Sequence, residues 1–277
     1  MDKYRETVAT FDKMALPYRD KFVGNDCYDS AHNRFASLLK QYQACAGRRL
    51  RLLDIGCGPG HVSGMLAKRV PELEIVGIDA APAMVALASE LLPEGRFYRL
   101  DSRELGCLSS LLEADAVRAI ATLDVPESAA TPLSLGAFDG SNTLDGSNTL
   151  DDFNALDELD TPEGFDAILL LFITPYLERQ DVIALLQDCR ALLNDGGLLY
   201  LASMEDDYQE SGYQSSSAGD RVFIHYYPEV FFVSELAAAG FELIDSLRKP
   251  YLEQGEVKAT DLFLYAKAVS KQRFIAD

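Results

Sequence analysis

Asp54, Gly56, Gly58 and Gly60 form the stretch of this sequence most plainly built for chemistry. An apolar run (Leu50, Leu52, Leu53, Ile55) leads into three glycines at alternate positions, and a helical pattern, Val62–Val70, follows and stops at Pro71. Strand, glycine turn and helix together lay out a nucleotide-binding loop. Glycines suit such a loop because the backbone must turn sharply and admit a ligand where a Cβ would stand in the way. The spacing narrows the choice of ligand. A dinucleotide fingerprint is G-x-G-x-x-G, whereas here His61 stands where the last of those glycines would fall. No Gly-Lys-Ser/Thr follows the turn, as a triphosphate loop would require. Asp54 would repel a pyrophosphate at this point, but it suits a ligand presenting a positive amine.

The elements that must hold this loop alternate along the chain. Glu74–Ile78 is an apolar strand ending in Asp79. Pro82 suits the N-terminus of a helix over Met84–Leu92, and Arg96–Leu100 is an edge-like strand ending at Asp101. Phe165–Ile173 is too apolar for a half-exposed strand and belongs in the middle of a covered parallel sheet. A helix over Asp181–Leu193, a strand over Leu198–Met204, a helix over Pro228–Ala239 and strands Phe241–Leu247 and Asp261–Ala268 complete a doubly wound α/β sheet. Ahead of the loop, Ser30 can cap a helix reaching Ala46. Tyr4, Val8, Phe11, Met14, Tyr18 and Phe22 fall at spacings that a helix places on one side.

Composition bounds the partners. The 277 residues carry a net charge of −19, which opposes binding to nucleic-acid backbones. Cys27, Cys45, Cys57, Cys107 and Cys189 are scattered without a CxxC pair, as expected for reduced thiols in a cytoplasmic protein rather than a disulfide framework or zinc site. No apolar run is long enough to span a membrane, and the first residues lack the apolar core of a signal peptide.

Asp54-Ile-Gly-Cys-Gly-Pro-Gly60 resembles motif I of the class I S-adenosylmethionine-dependent methyltransferases. Ile75-Val-Gly-Ile-Asp79 with Ala80-Ala-Pro-Ala-Met84 is similar to that family's second strand and following helix. Phe165–Leu171 resembles its fourth strand, Leu193–Leu198 its lead into the fifth, and Phe11-Asp12 through Tyr18 its N-terminal lid. The resemblance implies one Rossmann-like domain over 1–277, with a helical lid segment at 1–46 and a seven-stranded sheet in the order 3-2-1-4-5-7-6, the last strand antiparallel. It also implies S-adenosylmethionine as methyl donor, with S-adenosylhomocysteine as product. The backbone of Gly56, Cys57, Gly58 and Gly60 would wrap the methionine part, with Asp54 near its amino group. Asp79 would accept both ribose hydroxyls, Ala80 and Met84 would flank the adenine, and Asp101 with Ser102 would meet its amino group. Leu171 and Phe172 would lie near the sulfonium, with Tyr18 closing over the top. Four of these residues have plainer readings: Asp79 as a helix cap only, Asp101 as a turn or cap residue, Met84 as simple core, and Cys57 as a small packing residue rather than a nucleophile.

The family carries no universal catalytic residue in motif I, so acceptor chemistry falls to variable segments: the lid, Thr174-Pro-Tyr176 and Glu205–Tyr227. The last is rich in aromatic and acidic side chains, as a small, partly apolar acceptor would need. His225 is the candidate general base because imidazole titrates near neutrality, and Tyr176 is the second catalytic candidate. Against this, Val222–Tyr227 can be a strand whose aromatics are structural. No metal-ligand spacing is present. An intact loop and Asp79 would serve equally a protein that binds the cofactor without turnover.

One segment breaks the rhythm. Between Gly106 and Glu163 lie twelve acidic residues and one basic, Arg118, with Asp-Gly-Ser-Asn-Thr-Leu in tandem at Asp139–Leu144 and Asp145–Leu150. Leu105–Leu123 has the pattern of a helix. The remainder is expected to be an acidic surface excursion or, alternatively, a lid or a homodimer contact.

Overall fold

The computed structural model describes residues 2–22, 27–123, 164–215, 220–253 and 256–270. The tandem repeats and the rest of residues 124–163 lie outside them. Two units are present, residues 1–108 with 163–277 and residues 109–162. The first holds every cavity-lining residue named below.

Seven strands form one sheet: β1 (Arg51–Ile55), β2 (Glu74–Asp79), β3 (Arg96–Arg99), β4 (Phe165–Leu171), β5 (Leu193–Glu205), β8 (Phe241–Glu253) and β9 (Glu256–Ala268). Their order is β3-β2-β1-β4-β5-β9-β8, and β9 runs antiparallel to both of its neighbours. Leaving aside the separate hairpin of β6 (Gly212–Ser215) and β7 (Arg221–Ile224), this is the expected 3-2-1-4-5-7-6. β1 and β4 are central, and Leu52, Leu53, Ile55, Ala167, Ile168, Leu169 and Leu170 are all at 0% exposure. That is why their sequences are continuously apolar rather than alternating.

Helices α4 (His61–Arg69), α5 (Pro82–Leu91), α7 (Arg179–Leu192) and α8 (Glu229–Ala238) lie in the chain between strands, as the sequence pattern predicts. α3 (Asp29–Ala46) begins one residue before the expected cap, and Tyr28 rather than Ser30 occupies the N-cap position, without a side-chain capping bond. Phe35 and Leu39 of α3 pack with Leu52, Leu66 and Val70 against Tyr200, Phe263 and Tyr265. Tyr200 stacks on Phe35 at 4.9 Å and on Tyr265 at 5.0 Å. The N-terminal aromatic stripe is divided between two helices, α1 (Lys3–Lys13) and α2 (Ala15–Phe22), with a break at Met14. α6 spans Leu108–Leu123 behind a 3-10 turn over Ser102–Cys107.

The end of the sheet away from the glycine loop is pinned by Asp166, which is fully buried. It accepts from Arg48 at 2.8 and 2.6 Å, from the Arg51 amide at 2.9 Å and from Asn194 at 2.9 Å. Burial alone would push this carboxyl up. The Arg48 guanidinium and these donors outweigh it and hold the group below the usual carboxylate range.

Candidate functional site

The site is built where β1, β2 and β4 end. β1 delivers Asp54 and Ile55 into a turn in which Gly56, Gly58 and Gly60 all take positive φ (71°, 52° and 80°), a conformation open to glycine at little cost. A Cβ on Gly58 would meet nothing within 4 Å, so this glycine leaves open space for a ligand. Gly60 differs. A Cβ there would lie 3.2 Å from Cα and Cβ of Ala88, and the residue lets α4 begin close against α5. Of the thirteen residues expected around a cofactor, Gly60 alone lines neither cavity of the site. Helix packing explains its presence, and the expectation that it wraps a ligand is not carried by the geometry.

Two cavities adjoin along the loop. The smaller, about 140 Å³, is lined by Asp79, Ala80, Met84, Asp101 and Ser102, with Val8 and Phe11 of α1 closing it. The larger, about 710 Å³, contains Asp54 and Cys57 together with His32, His61, Gln214, Val222, Ile224 and Asp261. Tyr18, Gly56, Gly58, Leu171, Phe172 and Tyr176 belong to both and form the partition. Phe172 holds a φ of 56°, uncommon and costly for an aromatic residue, and its N–H donates to Ala202 at 2.8 Å.

Each acid at the loop has its own setting. Asp79 accepts from Gly58 N–H at 2.9 Å and from Ala81 N–H at 2.8 Å, one bond on each oxygen, which leaves a lone pair on each for a ligand. Burial raises its pKa. Asp54, 3% exposed, accepts from Ser63 Oγ at 2.6 Å; burial pushes it up to about 7 despite that bond, and Asp79 adds to the effect. Asp101 lines the smaller cavity and is also a cap, taking the Arg103 amide and guanidinium at 3.0 and 2.7 Å. Arg103 in turn lies 3.8 Å over the Tyr4 ring of α1. Met84 is both core and wall: it clusters with Ala15 and Ala81, and Phe11 and Tyr18 pack against that cluster. The Cys57 thiol is pushed far up by burial and by Asp54 and Asp79, the opposite of a nucleophile's setting.

A profile of the methyltransferase-domain family matches residues 30–246, most of the chain. The chain belongs to that family. Trans-aconitate 2-methyltransferases of Enterobacter sp. (strain 638) and Variovorax paradoxus (strain S110) are 47% and 49% identical over 53 and 51 residues. Those stretches are 19% and 18% of this chain, which spans about a fifth (21% and 20%) of the length of those relatives. The solved DhpI–SAH complex has a TM-score of 0.55 at 14% identity, covering 97% of this chain and 98% of that one. Magnesium protoporphyrin IX methyltransferase of Synechocystis PCC 6803 with bound SAH has a TM-score of 0.56 at 13% identity, covering 96% and 100%. At these identities the likeness is one of fold, and it agrees with the sheet order that the resemblance implies.

The two catalytic candidates part company. Tyr176 stands in the partition between the cavities, and burial raises its phenol well above the usual range. His225 lines neither cavity. Val222 and Ile224 of β7 line the larger cavity, Phe223 between them alternates away from it, and His225, the residue after the strand, does not line it. The His225 ring lies 4.6 Å from Phe223 and 5.9 Å from Tyr208, with Nε2 3.4 Å from Lys3. Burial, aided by Lys3, depresses its pKa to about 4.

The sequence pattern did not single out Tyr28, His32 and Asp261 of the larger cavity or the role of Asp12 in α1. Asp12 accepts from the Ala83 amide at 2.8 Å, tying α1 to the start of α5. Its place in the Phe11-Asp12 segment was visible, but its partner was not. Among the described residues no group of three or more His, Cys, Asp or Glu is placed to hold a metal ion, and no helix is long and apolar enough to cross a membrane.

Proposed function

We propose that this chain transfers a methyl group from S-adenosylmethionine to a small-molecule acceptor. The observation that carries the reading is the pair of cavities meeting at Gly56–Gly58 beneath α1 and α2, one shaped by Asp79, Ala80 and Met84, the other large enough for a second molecule. The residues fit the donor. Gly58 keeps clear the space a Cβ would fill, Asp79 holds two oxygens ready for paired hydroxyls, and Asp54 is a buried carboxylate suited to an ammonium group. Bound there, the donor supplies an activated methyl on sulfur. The chain's own part is to align and to exclude water: Tyr18 and Phe11 cover the site, and Leu171, Phe172 and Tyr176 shape the gap between the cavities. Asp101 would meet the base edge while capping its own turn.

The small-molecule class of acceptor is supported by a cavity lined with Tyr18, Phe22, Tyr28, Phe172 and Tyr176 and by the acidic charge of the chain. Calorimetry with S-adenosylmethionine and S-adenosylhomocysteine tests the donor, and incorporation of labelled methyl into a metabolite panel tests transfer. Asp79→Ala should weaken both ligands by about tenfold or more through loss of two charge-assisted bonds. Absence of binding to the wild-type chain would defeat the proposal. Binding without methyl incorporation would instead mark a protein that holds the cofactor and does not turn it over.

A further inference from the structure

The larger cavity has a wall supplied by the far end of the chain. β9 enters the sheet antiparallel to β5, with Asp261 opposite Met204, and this brings Ala259 and Asp261 to the end of the sheet where the glycine loop lies. Asp261 is 2% exposed yet lines the cavity. Tyr28, at the N-cap position of α3, donates its hydroxyl to Asp261 Oδ2 at 2.5 Å. The Tyr28 ring is fixed 5.5 Å from Phe172 and 5.3 Å from Phe263, so the carboxylate is held from the side of the partition between the two cavities.

The surrounding charges favour one kind of guest. Asp29 and His32 face the chamber from α3, Asp54 from β1, His61 from α4, and Lys21 from α2. Lys249, opposite Asp261 on β8, is turned to the Cys27 carbonyl at 2.8 Å. His32 hydrogen-bonds Tyr200 at 2.9 Å and, pushed down to about 4 by burial, is neutral. The His61 pKa is lowered too, again by burial. With Asp54 given over to the donor's ammonium group, two carboxylates, Asp29 and Asp261, face the acceptor's space, with Lys21 the one lysine or arginine among the described residues that line it. An anionic guest would be repelled, whereas an N–H or O–H donor would find acceptors; a carboxylate keeps lone pairs beyond its single Tyr28 bond.

We propose that Asp261, positioned by Tyr28, takes the proton released on methyl transfer, and that the chamber selects an amine or hydroxyl acceptor over a carboxylate. This rests on the S-adenosylmethionine reading above. The acceptor's lone pair forms the new bond to the methyl carbon, the methyl–sulfur bond breaks with its pair returning to sulfur, and the acceptor's N–H or O–H proton passes to the Asp261 carboxylate. Burial raises the pKa of Asp261 and the Tyr28 bond lowers it, so Tyr28 is a positioning residue that also sets where the base titrates.

The test begins with binding. The full chain, saturated with S-adenosylhomocysteine, is titrated calorimetrically with benzylamine, phenol and benzoate. Benzylamine or phenol should bind about tenfold more tightly than benzoate, and Asp261→Asn should erase the preference while leaving S-adenosylhomocysteine affinity unchanged. Benzoate held as tightly as either, none of the three held, or a preference that survives Asp261→Asn would each overturn the proposal. With the acceptor found by methyl incorporation, Asp261→Asn should lower kcat about a hundredfold, and Tyr28→Phe should move the acid limb of the kcat profile to higher pH. Unmoved profiles in both variants, or a best acceptor that is a carboxylate, would also overturn it. Failure of the wild-type chain to bind S-adenosylhomocysteine would instead defeat the reading beneath.

Discussion

Asp54 links ligand binding to pH because it sits desolvated at about 7 beside Asp79. Below that value it is protonated and cannot pair with an ammonium, so affinity for S-adenosylmethionine should rise with pH up to about 7 and then level off, as calorimetry in matched buffers would show. Stability runs the other way. A carboxyl whose folded pKa lies above its unfolded value keeps a proton that the unfolded chain has released, so the stability it contributes is lost as pH rises from about 4 to 7. Asp54→Asn should therefore raise the melting stability of the ligand-free protein at pH 8 by about 1–3 kcal/mol while weakening and flattening the pH dependence of cofactor binding. His225 carries a contrasting expectation. Its ring lies among Tyr208, Phe223 and Tyr227 with Nδ1 buried and unpartnered. His225→Phe should leave kcat for the true acceptor intact and remove the stability loss that a depressed histidine brings as pH falls from about 6.5 towards 4. A collapse of kcat with folding intact would restore histidine as the base.

At the scale of elements, α1 is held over the site mainly by polar contacts. Lys3 pairs with Glu178 at 2.6 Å, Lys13 with Asp220 at 2.8 Å and Glu6 with Arg221 at 2.6 Å, and Tyr4 hydrogen-bonds Asp181. Half-exposed pairs of this kind are worth little singly and are screened by salt. Asp12→Ala, which frees α1 from the start of α5, should speed cofactor release in stopped-flow measurements, and 1 M salt should do the same to the wild type, with little change in melting temperature. Asp166 does the opposite job. Asp166→Ala strips the partner from Arg48, the Arg51 amide and Asn194 at the far end of the sheet, and should cost about 2–4 kcal/mol in denaturant unfolding. S-adenosylhomocysteine affinity of the folded fraction should be unchanged.

For the whole molecule, the net charge of −19 sets the kind of partner. At about 0.15 M salt neither tRNA nor duplex DNA should be retarded in a gel by the full chain, since counterion release gives an acidic surface no driving force. A salt-sensitive complex would reveal a local basic track. The buried parallel strands, the helix starts and the glycine turn were readable from the chain because each depends on a short window: an apolar run with no alternation, a proline at a helix start, glycines where φ must be positive; the strand order came only with the family resemblance. Gly56, Gly58, Asp79, Ala80 and Met84, named through that resemblance, all line the smaller cavity. What the sequence could not decide was which side chains meet across long separations. The parity of β7, turning Phe223 away and Val222 and Ile224 inward, is set by a one-residue choice of register that leaves no local mark. Gly60 against Ala88, Asp12 on the Ala83 amide, and Asp261 brought to Tyr28 across more than two hundred residues exist only because crossovers and an antiparallel last strand bring those backbones together. The sequence by itself determined the loop, and its resemblance suggested the methyl donor proposed for it; only the tertiary packing decided what surrounds the second cavity.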